Sequence, residues 1–152
     1  IAVCCMASYF ALISLPSLFS NEYRDKFMEK NSFEYNAVKW VNDVLPDDAK
    51  VISELRSVSL YKMEFIPMDR LGFYYTKDQL TKYFNLIKER KFNYIVLKEN
   101  SAHISLFKNC LGNIYMESPV FKKSTRNPIN RNWGHSVIIY EFNYKDLIDC
   151  VK

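Results

Sequence analysis

The chain has 152 residues, of which 49% are hydrophobic and 16% aromatic, so it is long enough for one domain with an apolar core. Only three glycines are present, which argues against a glycine-rich phosphate-binding loop. The net charge of +4 is spread along the chain rather than gathered on one basic face, so we expect no nucleic-acid partner.

The first residues form an apolar run. Residues 1–19 carry no charged side chain, and polar sequence begins abruptly at Ser20. About 20 apolar residues suffice for a helix to cross a bilayer. The run lacks the basic region and cleavage site of a signal peptide, and it has too few polar residues for a buried helix of a soluble domain. We predict a transmembrane helix at 1–19 that ends a longer membrane region, a linker at 20–31 and a soluble domain at 32–152.

The remaining sequence alternates amphipathic helices with short apolar strands. Helical spacing of apolar residues predicts a helix at 32–45, and a capping box of Thr76 and Gln79 opens another at 76–91. A short helix follows Ser101 and stops at Gly112. Strands are predicted at 50–54, 64–68, 93–98, 114–116 and 136–142. The pattern predicts an α/β fold, a small Rossmann-like three-layer sandwich whose mostly parallel sheet has its last strand as an antiparallel edge strand.

Standard catalytic and nucleotide-binding motifs are absent from the sequence, including GxGxxG, GxxxxGK[ST], HExxH and GxSxG. We therefore predict no catalytic residue, no metal site and no cofactor in this chain. The two histidines, His103 and His135, are interpreted as structural or surface residues. Cys110 and Cys150 either form a disulfide in an oxidising compartment or remain unpaired thiols. We favour the thiols, since sequence alone does not establish disulfide geometry.

Two places are candidate ligand sites. Glu54 and Arg56 follow the first predicted strand, where open α/β sheets bind ligands, although charged residues in such loops are often merely solvated. The loop 122–133 contains four cations, and Arg126, Asn127 and Arg131 are its candidate contacts to an anion or lipid headgroup. In the alternative interpretation, these side chains hold the loop's own backbone, and we favour that role slightly for Arg126.

The order of segments resembles a known membrane-protein family. An apolar terminal helix is followed by NAVKWVN at 36–42, by LPDDAKV at 45–51 and later by RNPIN at 126–130. This arrangement resembles the C-terminal soluble region of bacterial polytopic membrane glycosyltransferases of the GT-C type, which use polyprenyl-phosphate-linked sugars. The catalytic acid of that family lies in an early extracytoplasmic loop, which is not part of this sequence.

The resemblance implies an accessory extracytoplasmic (periplasmic) domain of an integral membrane glycosyltransferase in the cell envelope. Its partners would be membrane lipid, the remainder of its own membrane domain and a polyprenyl-phosphate-linked sugar. The alternative is a non-catalytic binding or assembly module anchored to an envelope membrane. Further hydrophobic spans upstream, with an acidic first loop, would favour the glycosyltransferase.

Overall fold

The computed structural model describes residues 20–32, 34–55, 60–68, 76–122 and 134–143, together with Tyr9, Leu12 and Leu15. Its helices are α1 (Asn21–Asn31), α2 (Tyr35–Val44), α3 (Lys77–Arg90) and α4 (His103–Phe107). Its strands are β1 (Lys50–Ser53), β2 (Glu64–Pro67), β3 (Tyr94–Lys98), β4 (Leu111–Glu117), β5 (Phe121–Lys122), β6 (Gly134–His135) and β7 (Val137–Phe142).

A five-stranded mixed sheet forms the centre of the α/β fold. The strand order is β2-β1-β3-β7-β4, and β5 pairs separately with β6. β1 is parallel to both β2 and β3, whereas β7 is antiparallel to β3 and to β4. Four of the five strands therefore run in one direction and β7 alone is reversed.

Helices cover both faces of this sheet. On one face α2 buries Ala37, Val38 and Val41 against a cluster that includes Val51 and Val96. On the other face Phe84 and Ile87 of α3 and Phe107 of α4 pack against a cluster that includes Ile52 and Ile95. Because successive strand residues point to opposite faces, the two clusters lie on opposite sides of the sheet.

Local signals in the sequence correctly located most elements. The helix α3 begins with the predicted capping box, in which Thr76 Oγ1 accepts a hydrogen bond from the Gln79 N–H. The helical spacing of apolar residues also marks the packed faces, since Val41 and Phe84 are buried and Trp40 and Leu80 are partly buried against the same clusters. The five predicted strands are all present, within a few residues of their expected bounds.

Three expectations need correction. β7 was expected at an edge, but it lies inside the sheet between β3 and β4, because its side chains are largely buried on both faces. Gly112 does not stop a helix, since it lies within β4. There its missing side chain allows close approach to β7: an added Cβ would stand 2.9 Å from the Glu141 carbonyl oxygen.

The segment between the apolar run and the domain also differs from expectation. Residues 20–31 were expected to be a linker, but the helix α1 occupies Asn21–Asn31. Asp25 of α1 accepts hydrogen bonds from the Tyr35 hydroxyl at 2.8 Å and the Lys39 ammonium at 3.1 Å. These contacts tie α1 to α2.

The predicted transmembrane helix at 1–19 lies largely outside the described residues. Within it, Tyr9, Leu12 and Leu15 are helical and are 63%, 67% and 40% exposed. Among the residues that the structure describes, no helix has both the length and the apolar character needed to cross a membrane.

Candidate functional site

The carboxyl ends of β1 and β3 form the natural place for a ligand in this sheet. From β1 the chain continues outward to β2 on one side, and then through α3 to β3 on the other side. Open α/β sheets bind ligands where the strand order reverses in this way, beyond the carboxyl ends of the strands. Glu54, one of the two residues of the predicted site, directly follows β1 at this position.

Glu54 bridges the two strands at this point. Its N–H donates to the Val96 carbonyl at 3.1 Å, and its Oε2 accepts a hydrogen bond from the Lys98 N–H at 3.1 Å. The carboxylate thus extends the link between β1 and β3 beyond the last paired residues. A ligand in this crevice would have to share or displace that bond, and a ligand role for Glu54 stays a prediction.

A buried ion pair lies beside Glu54. Glu34 precedes α2 with a left-handed backbone, φ 64°, and its side chain is 0% exposed. Its Oε1 is 2.7 Å from the Lys98 ammonium, whose side chain is 25% exposed. A buried carboxylate is costly unless it is paired, so Lys98 stabilises the burial of Glu34. Sequence reasoning missed this pair, because a charged residue at a helix start usually lies on the surface.

A hydroxyl pair completes the cluster. Ser53 Oγ lies 2.8 Å from Tyr61 Oη and also accepts the Leu55 N–H at 3.1 Å. Burial raises the pKa of Tyr61 far above its ordinary value, Glu34 raises it further, and the hydrogen bond with Ser53 opposes the shift. The Tyr61 hydroxyl therefore stays protonated at neutral pH. We call Glu34, Ser53, Glu54, Tyr61 and Lys98 the carboxyl-edge cluster.

β7, the neighbour of β3 in the sheet, is joined to β3 in a similar way. Ser136 Oγ donates to Glu99 Oε2 at 2.7 Å, and the Glu99 N–H donates to the Ser136 carbonyl at 3.2 Å. Polar side chains along this end of the sheet thus bond to neighbouring strands. Within the described part of the chain, no group of three or more His, Cys, Asp or Glu residues is arranged to hold a metal ion.

The other predicted site residues, Arg56, Arg126, Asn127 and Arg131, lie outside the described residues. The structure does define the base of the loop that carries the last three. There Phe121 pairs with His135, and Lys122 pairs with Gly134. The Phe121 ring lies 6.3 Å from the Trp40 ring of α2, which fixes the base of the loop against the domain.

The histidines occupy separate places. His103 is buried at the start of α4, where its backbone N–H donates to Ser101 Oγ at 3.0 Å. His135 lies in β6 at the base of the loop.

Cys110 is disulfide-bonded and its side chain is fully buried in the cluster beneath α3. The interpretation of Cys110 as an unpaired thiol is therefore wrong. The other three cysteines, Cys4, Cys5 and Cys150, lie outside the described residues.

A family model described as the DUF1420 C-terminal domain matches residues 29–152. The chain belongs to this family. The matched residues of the DUF1420 C-terminal domain include α2, α3, α4 and every described strand. No curated protein and no solved structure matches the chain.

Proposed function

We propose that this DUF1420 C-terminal domain is the accessory, non-catalytic, extracytoplasmic domain of an integral membrane glycosyltransferase that acts on lipid-linked sugars. The glycosyltransferase part of this proposal rests on the resemblance at 36–51 and 126–130. The accessory and extracytoplasmic parts rest on the structural observations that follow.

The disulfide of Cys110 is the observation that carries the extracytoplasmic location. Disulfides persist in oxidising compartments such as the periplasm and are rare in the cytosol. Cys110 is fully buried within the core, so its bond belongs to the folded domain rather than to an exposed surface thiol. A domain that folds around such a bond is suited to the outer side of a membrane.

The carboxyl-edge cluster supports an accessory role. Glu54 and Lys98 link β1 to β3, and Glu34 and Tyr61 are buried beside them. Catalysis by acid–base chemistry needs a group that reaches the substrate with a suitable pKa. Here burial raises the pKa of the Tyr61 hydroxyl further from neutrality, and the buried Glu34 carboxylate is paired with Lys98. The cluster is suited to holding strands together.

We also propose that the β2-β1-β3 unit is Rossmann-like. Its strand order and its helices on both faces are those of doubly wound sheets, without the glycine-rich turn that binds a pyrophosphate. The unit would then serve as a scaffold for loops and not as a nucleotide site.

Membrane attachment is proposed through the apolar segment 1–19. Its three described residues Tyr9, Leu12 and Leu15 are helical and exposed, as expected for side chains that face lipid. The loop 122–133 is the proposed contact with lipid headgroups or with a polyprenyl phosphate, since each Lys or Arg near an anionic surface contributes about 1 kcal/mol.

The test of this function uses the full-length protein with its membrane region. A purified preparation is supplied with a polyprenyl-phosphate-linked sugar, and sugar transfer is compared with and without residues 20–152. We expect transfer by both forms, with lower efficiency for the shortened one. A full-length protein that transfers no sugar would overturn the glycosyltransferase assignment and favour the assembly module, whereas complete loss in the shortened form alone would overturn the accessory role.

Location has an independent test. Cells are quenched in acid and the protein is denatured before alkylation, because Cys110 is fully buried in the folded domain. Cys110 should then resist thiol reagents until a reductant is added, because its sulfur is in a disulfide. Alkylation of Cys110 without reduction would contradict the extracytoplasmic location, whatever the enzyme assay shows.

A further inference from the structure

The two edges of the sheet differ in their protection against pairing with another strand. β2 has four residues, of which Pro67 lacks an N–H. Its Glu64 carboxylate is held by the Lys50 ammonium at 3.3 Å and the Arg90 guanidinium at 3.1 Å. Short length, proline and charge are common protections of an edge strand.

The other edge, β4, is longer and apolar. β4 has seven residues, and Ile114, Tyr115 and Met116 at its centre are 57%, 39% and 43% exposed. Among the described strand residues, these three are the large apolar side chains that are exposed. Glu117 is the single charged residue of the strand. A long apolar edge of this kind is a template for pairing with another strand.

The irregular pairing of β4 with β7 does not bury the side chains at 114–116. Two irregularities shift β4 against β7, one between Leu111 and Ile114 and one between Ile114 and Met116. Such bulges bend a strand and change the direction of its side chains. The three central side chains nevertheless remain exposed, although the Tyr115 ring also lies 5.1 Å from the Tyr94 ring of β3.

The charges near β4 favour a copy of the same strand as the partner. Glu117 ends the strand, and the exposed Lys108 lies just before its start. Antiparallel pairing across a twofold axis brings Glu117 of one copy to the Lys108 end of the other, so opposite charges approach. With the axis at Ile114, the two Glu117 residues stand roughly 20 Å apart, six residue steps along the strands. Parallel pairing would instead place the carboxylates next to each other.

We propose that β4 pairs antiparallel with β4 of a second copy of this chain, with Ile114 of each copy at the twofold axis. The pairing joins the two five-stranded sheets into one continuous sheet and covers the apolar side chains at 114–116. It is a property of the domain itself and does not depend on what the membrane region does.

Disulfide trapping tests both the contact and its register. Residues directly opposite in an antiparallel pair have Cα atoms about 4.5–5.5 Å apart, which is within the range of a disulfide. The variant Ile114→Cys of the full chain, in mild detergent, should give several-fold more reducible covalent dimer under gentle oxidation than the parent chain. Leu86→Cys, which places a thiol at a 37% exposed position on α3, is the matched control. Equal dimer yield from the two variants, or no increase over the parent, would overturn the proposal.

A second measurement avoids introduced thiols. Sedimentation equilibrium of the parent chain in density-matched detergent should give a dimer, and Met116→Lys should shift it to a monomer with an unchanged circular dichroism spectrum. A monomeric parent, or a dimer that Met116→Lys leaves intact, would mean that β4 is not the interface.

Discussion

Removal of the Lys98 ammonium tests how far a buried charge controls the stability of this domain. In Lys98→Met the side chain keeps most of its length, but the Glu34 carboxylate, which is 0% exposed, loses the cation that lies 2.7 Å away. Breaking a buried pair from one side costs about 3–5 kcal/mol. The lower end of that range, about 3 kcal/mol, is appropriate because the Lys98 side chain is 25% exposed and partly screened by water.

Glu34→Gln should cost less than Lys98→Met. It removes the buried charge and leaves the partly exposed ammonium, which water and the new amide oxygen can still solvate. We expect a loss of about 1 kcal/mol. The double variant Glu34→Gln/Lys98→Met should be more stable than Lys98→Met alone, because no buried carboxylate is left without a neutralising cation.

The assay is urea unfolding followed by tryptophan fluorescence, in mild detergent for the apolar segment. With a slope of about 2 kcal/mol per molar urea, Lys98→Met should lower the midpoint by about 1.5 M. The matched control is Lys26→Met, which breaks the ion pair between Lys26 and Glu22. That pair has a similar distance, 2.6 Å, but its two side chains are 68% and 75% exposed. That change should leave the midpoint almost unaltered. Equal midpoints for the two lysine variants would refute the argument that burial, rather than distance, decides the energy.

Three further predictions follow from packing and hydrogen bonding. Gly112→Ala should cost about 1–3 kcal/mol, because its Cβ would meet the Glu141 backbone carbonyl oxygen at 2.9 Å. Gly134→Ala should cost less in the same thermal melts, although its Cβ would stand 2.5 Å from Val120 Cγ1, because the Val120 side chain is 67% exposed and can turn away. Ser53→Ala should destabilise more than Tyr61→Phe in the same melts, because it removes both the hydrogen bond with the Tyr61 hydroxyl and the acceptor of the buried Leu55 N–H, whereas Tyr61→Phe removes only the first. Finally, because burial raises the pKa of Tyr61 in the folded state, the unfolded chain loses this proton first, near its ordinary pKa of 10.0. Stability should therefore fall as the pH rises above about 10, and Tyr61→Phe should show less of this alkaline loss, as measured by urea midpoints between pH 8 and about 11. An equal alkaline loss in both proteins would contradict the assignment to Tyr61.

Local sequence determined most of the elements, although it did not reveal α1. The capping box of Thr76 and Gln79 starts α3, and the apolar run Tyr94–Lys98 forms a buried strand as predicted. These signals act within one turn of helix or along one strand, so they are independent of what lies elsewhere in the chain. The alternation of helices and strands was likewise enough to predict the α/β class.

Tertiary structure alone decided the strand order and the partners of the charged side chains. β7 follows a loop and was expected at an edge, but the burial of both its faces places it between β3 and β4. At the predicted site, the sequence correctly located Glu54 beyond β1, but it did not reveal that the carboxylate bonds to the Lys98 N–H. The same holds for Glu34, whose burial beside Lys98 brings together residues from the first helices and the third strand. Such contacts depend on how distant segments pack, and no periodicity or spacing in a single sequence encodes them.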